Sequence, residues 1–148
     1  HREMDKHWAI DYIGLPWVAG GVGPDEFDCW GLVIDVYSKL KGVKLPRMAG
    51  VDRGNPVEIY KEIAKQKKLE SVTHMGFYEV TQPQEFDIAL LGRSNNSHHV
   101  GIFTDGSGSG VVHCSEASGV VFETRSQLKI QMYNKIFYYR YGQSDTHN

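Results

Sequence analysis

Two periods divide the chain. Up to Leu40 the apolar residues recur at helical spacing, whereas from Phe77 onward they fall in short runs broken by turn residues. Cys29, Leu32, Val33, Val36, Tyr37 and Leu40 follow i, i+3, i+4, i+7, i+8 and i+11, one continuous helical face. Asp28 stands before them as a preferred N-cap and Gly42 after them as a stop, so a helix is predicted between the two. A shorter helix is predicted over Met4–Ile13, closed by Gly14 and Pro16. Leu15–Phe27, rich in Gly and Pro, reads as a loop. Asn55-Pro56-Val57-Glu58 combines a cap, a first-turn Pro and a Glu three residues on, which predicts a third helix running to about Lys68.

In the second half, Phe77–Val80, Phe86–Leu91, His99–Thr104, Gly110–Glu116, Val120–Thr124 and Lys135–Tyr141 are rich in β-branched and aromatic residues and predict six strands. The soft run 105–110 is read as a hairpin loop between two of them. Helices first and strands afterwards predict an α+β fold with an antiparallel sheet, in one domain spanning 1–148.

Composition narrows the function classes. The chain has 148 residues, 41% hydrophobic and 23% charged, which suits one globular domain. A formal net charge of -2 excludes a nucleic-acid binder held by phosphate contacts. No apolar run approaches the roughly 18 residues of a membrane-spanning helix. The two cysteines, Cys29 and Cys114, are too few for a disulfide scaffold and are flanked by different chemistry, so a bridge between them is not expected.

The candidate chemistry starts at Cys29, the first residue of an amphipathic helix behind a Gly-rich loop. Unpaired backbone N–H groups and the helix dipole favour a negative charge there, which should lower the thiol pKa and suit a nucleophile. The backbone amide of the same turn can meet a developing oxyanion. A thiolate needs a base, and His99 and His113 lie on the two strands flanking the predicted hairpin. Pairing residue 103 with 109 puts the two histidines directly opposite; a register two residues different makes them diagonal neighbours on one face. In either register Val100, Ile102, Val112 and Cys114 form the apolar side and the histidines point the other way. That arrangement suits a base with a second polar residue fixing its ring. His98 alternates away from His99, and His74 is isolated in a loop, so both read as structural or exposed. The same alternation splits His98, His99, His113 and Cys114 between two faces, so no metal site is expected.

These residues form an ordered set. Phe27-Asp28-Cys29-Trp30-Gly31-Leu32-Val33 resembles the nucleophile motif of the NlpC family of cell-wall cysteine peptidases, and His99-Val100-Gly101-Ile102-Phe103 is similar to its base motif. Val112-His113-Cys114-Ser115 resembles the strand of its third catalytic residue, Phe86–Leu91 the strand before the base, and Pro16–Gly21 the loop before the nucleophile. The resemblance runs from about residue 10 to about residue 140. It implies a papain-like fold, with N-terminal helices packed on a central antiparallel sheet and no cofactor. It implies attack by Cys29, proton transfer by His99 and orientation of His99 by His113, on an amide bond of peptidoglycan stem peptides, often between D-glutamate and a diamino acid. Asp28 would cap the helix and help receive a substrate amine. Trp17 replaces a frequent Tyr and Trp30 a frequent Ser, both where substrate is expected to approach.

The Asp-Cys-Trp-Gly form with Trp17 is similar to the branch found in phage tail proteins. That branch implies a virion-tail or secreted location, action at the bacterial wall, and tail-tip proteins as partners. Three other readings share the residues: an amidase or acyltransferase on another substrate, a structural tail or wall-binding component with little activity, and a secreted toxin paired with an immunity protein.

Overall fold

The computed structural model describes residues 7–45, 77–93, 98–106 and 108–142. The predicted third helix (55–68) and His74 lie outside the described residues.

Helix α1, Cys29–Val36, forms where the helical face predicts it. Asp28 caps it, with Oδ1 accepting from the backbone N–H of Gly31 at 2.6 Å. Tyr37–Lys41 continues as a wider π-helical segment, and Gly42, at φ 67°, ends it in the left-handed region. The widening corrects one expectation. Leu32, Val33, Val36 and Tyr37 are buried, but Leu40 is 43% exposed, because the wider turn rotates it off the buried face. Of the predicted first helix, the described part is a single 3-10 turn, Trp8–Asp11, with the His7 ring accepting from Ala9 N–H.

Six strands follow: β1 Phe77–Val80, β2 Ile88–Arg93, β3 His98–Thr104, β4 Gly110–Ser115, β5 Gly119–Thr124 and β6 Tyr133–Tyr141. They form one antiparallel sheet in the order β1-β6-β2-β3-β4-β5. The fold is therefore α+β, with helix before sheet. β2 opens two residues later than predicted because Phe86 takes φ 76° and its N–H turns to the Phe103 carbonyl. A short helix α2, Arg125–Ile130, was not predicted, although Thr124 and Gln127 form a capping box that spells it in the sequence.

The sheet buries both faces. On one, α1 packs over Ile88, Leu90, Val100, Ile102, Val112, Cys114 and Val120. On the other, Leu128 of α2 seals a smaller cluster with Ala89, Leu91 and Val111. Alternation assigns His99 and His113 to this second face, away from Val100, Ile102, Val112 and Cys114.

Candidate active site

The Gly-rich loop and the start of α1 are locked together by backbone contact. Asp28 N–H donates to the Gly21 carbonyl at 3.0 Å, and Asp28 Oδ2 accepts from Gly20 N–H at 3.1 Å. A Cβ on Gly31 would lie 1.9 Å from the Gly21 oxygen, so only glycine allows this approach. Cys29 is thereby held at the helix N-terminus, 1% exposed.

Pairing of β3 with β4 runs from Thr104↔Gly110 to Gly101↔His113. His99 and His113 are therefore diagonal neighbours, the second of the two registers considered. Gly101, the register partner of His113, leaves it room, since a Cβ there would meet Val111 Cγ1 at 2.5 Å and His113 Cβ at 2.8 Å. His99 Nε2 and His113 Nδ1 are 2.9 Å apart, with the rings edge-on at 84°. The hydrogen bonds then run on, from His113 Nε2 to Glu123 Oε1 at 2.7 Å, and from Glu123 Oε2 to the Gln131 side-chain amide. Tyr133 stacks on His99, with ring centroids 6.1 Å apart, and the Arg93 guanidinium lies 4.1 Å from the Tyr133 ring centre. His99 adjoins Val100, whose backbone N–H joins that of Trp30 as a hydrogen-bond donor to the Cys29 sulfur. That contact brings the thiol to the His99 end of β3.

Burial dominates the electrostatics. The Cys29 thiol is pushed up to about 12 by desolvation, with Asp28 and Cys114 adding to it and the Trp30 and Val100 amides opposing. This corrects the expected lowering: at this helix end desolvation outweighs the dipole and the amide donors. His99 is held well below its ordinary value by burial, then by His113 and Arg93. His113 is lowered by burial too, with Glu123 working against the shift. Burial thus favours the neutral thiol of Cys29 and the neutral imidazole of His99.

The remaining expectations fare differently. Asp28 caps α1, but it is fully buried with both oxygens accepting backbone N–H groups, so a substrate amine has no path to it. Trp30 is fully buried in the core and does not face an approaching substrate; only its backbone serves the site. Trp17 is half-buried, bridged to Phe27 beside the loop. Both cysteines are free thiols, and Cys114 donates to the Phe27 carbonyl. Glu123 was missed, although strand alternation with Val120 and Phe122 pointing inward would have put it on the His113 side. Arg93, Gln131 and Tyr133 carry no local signal, because distant pairing brings them in.

The NlpC/P60 family model matches residues 14–143, nearly the whole described fold. The chain belongs to the NlpC/P60 family. It carries a cysteine opening a helix that packs on the sheet holding the histidine pair. A stretch of 48 residues, 32% of this chain, is 46% identical to the probable endopeptidase YafL of Escherichia coli. Another of 42 residues, 28% of this chain, is 52% identical to the gamma-DL-glutamyl hydrolase of Bacillus subtilis. These stretches span 19% and 10% of the two relatives' lengths. The crystal structure of the NlpC/p60 domain of the peptidoglycan hydrolase SagA superposes with a TM-score of 0.55 at 21% identity, covering 88% of this chain and 91% of that one. That likeness establishes the shared fold.

Proposed function

We propose that this NlpC/P60 chain is a peptidoglycan hydrolase, a cysteine endopeptidase that cleaves an amide bond of the stem peptide, with the bond between D-glutamate and the diamino acid as the expected target. The observation that carries the reading is the hydrogen-bonded pair of His99 and His113, 2.9 Å apart, on the sheet against which the helix opened by Cys29 packs. The Bacillus relative, named for glutamyl hydrolysis, and the Escherichia relative, named an endopeptidase, supply the substrate class.

In this reading the Cys29 sulfur attacks the scissile carbonyl carbon as its proton passes to His99 Nδ1, the ring nitrogen not bonded to His113. Backbone N–H groups at the helix start oppose the charge that develops on the carbonyl oxygen. Collapse of the tetrahedral intermediate expels the amine, which takes the proton back from His99. Water, deprotonated by His99, then hydrolyses the thioester. No cofactor enters these steps.

The test is mass spectrometry of purified peptidoglycan after incubation with wild type and with Cys29→Ala. New stem-peptide fragments from wild type alone support the reading and identify the bond. No fragments from either folded protein would overturn it, in favour of another amide or ester substrate or a structural role. Delivery by a phage tail or by secretion is a further part of the proposal, resting on the Asp28–Gly31 motif and Trp17; detection of the chain in purified virions supports the tail route.

A further inference from the structure

We propose that Glu123 is a positioning residue that decides which nitrogen of His99 is basic, acting through His113. The inference rests on the reading of His99 as the base. The argument is one of donors and acceptors. A carboxylate only accepts hydrogen bonds, and a neutral imidazole has one donor and one acceptor nitrogen. Glu123 Oε1 lies 2.7 Å from His113 Nε2, so that nitrogen must carry the His113 proton. His113 Nδ1 is then a lone pair, and across 2.9 Å it can only accept, which puts the His99 proton on Nε2. The lone pair of His99 is left on Nδ1. The direction of the whole chain is set at its far end.

Three features make this assignment hold. The two rings are 9% and 1% exposed, and burial disfavours a second proton on either, so each keeps one donor and one acceptor. The Gln131 amide donates to Glu123 Oε2, which keeps Oε1 turned toward His113. Gln131 is itself held, since its backbone carbonyl accepts from Arg93 Nε at 2.9 Å and its backbone N–H closes the end of α2. The Glu123 side chain keeps 20% of its surface, so the charged end of the chain stays partly hydrated while the rings are dry. A neutral amide at position 123 could offer His113 either its oxygen or its NH₂, and the direction would no longer be imposed.

The experiment is ¹⁵N NMR of the histidine rings at pH 8 in the Cys29→Ala protein, where no thiol can pass a proton to His99. The expected spectrum has protonated-type shifts for Nε2 of both rings and unprotonated-type shifts for both Nδ1. Glu123→Gln and Glu123→Ala in that background are expected to move the ring shifts toward averaged values. With Cys29 present, Glu123→Gln is expected to lower kcat by about 10- to 100-fold and to leave KM within about twofold. A proton on His99 Nδ1 in the unsubstituted relay would overturn the proposal, whether or not either variant folds. So would ring shifts unchanged in a folded Glu123 variant. Because the spectra need no substrate, absence of peptidoglycan turnover would sink the proposed function and leave this inference standing.

Discussion

Among the described residues, the buried polar networks around Asp87 and around His113 are built from different kinds of group. Asp87 lies in the turn before β2 and accepts from Arg140 Nε and Nη2 at 3.0 and 2.9 Å, and from Gln84 N–H at 2.7 Å. Every donor there is a group that only donates, so the direction of each bond is fixed. It ties β6 to the start of β2. The His99–His113–Glu123 chain has similar lengths and comparable burial, but its two histidines each both donate and accept. A proton added or removed at one end rewrites the bonds along it. Groups that only donate or only accept make a lock, and groups that do both make a relay.

The comparison predicts that relay and lock fail differently. The largest effect is expected for Cys29→Ala, which removes the nucleophile: turnover falls to background while the melting temperature drops by no more than about 4 °C. Next, His113→Ala should lower kcat by about 10²- to 10³-fold and still leave measurable turnover, because an orienting residue is less costly to lose than the nucleophile. Loss equal to that of Cys29→Ala in steady-state assays would refute this ranking. Asp87→Asn should show the opposite pattern. Weakening a nearly buried charge-assisted pair costs about 2 kcal/mol, or about 4–8 °C in melting temperature, with kcat of the folded protein within about twofold. A large kcat effect with unchanged melting would erase the distinction between the networks.

The smallest effect sharpens the comparison through pH. His99 and His113 both have folded-state pKa values below the ordinary one, chiefly through burial. Below about pH 6.5 the unfolded chain binds protons that the folded rings refuse, so stability is present above that pH and lost as pH falls through it. Calorimetry should find a loss of about 1–2 kcal/mol between pH 7 and 5.5. The slope should shrink in His113→Ala and persist in Asp87→Asn. A flat profile in wild type would mean that the rings are hydrated or already charged. The groups facing them that bear on this titration are Glu123, Arg93 and Tyr133.

How much was legible in the sequence differs from element to element. Helix α1, its Asp28 cap and its Gly42 stop could be read because each depends on neighbours within a turn or two. Six strands could be read from alternation, with ends displaced by up to two residues where Phe86 turns and where β6 starts early at Tyr133. The place of Cys29 at a helix start and of His99 and His113 on one sheet face could be read because strand alternation and helix position are local rules. Leu40 escaped, because nothing local announced the wider turn after Val36.

What the sequence by itself determined, then, is the order of elements, the face each residue occupies and the family its motifs resemble, since these follow from backbone periods of 3.6 and 2 and from caps and turns. Tertiary structure alone decided which of two registers joins His99 to His113, that the chain of hydrogen bonds ends on Glu123, and that Trp30 is core. It also decided the sign of the Cys29 shift. Burial and cross-strand pairing are sums over residues far apart in the chain. A thiol at a helix start is favoured as an anion by its neighbours, yet it is held neutral here by everything packed around it.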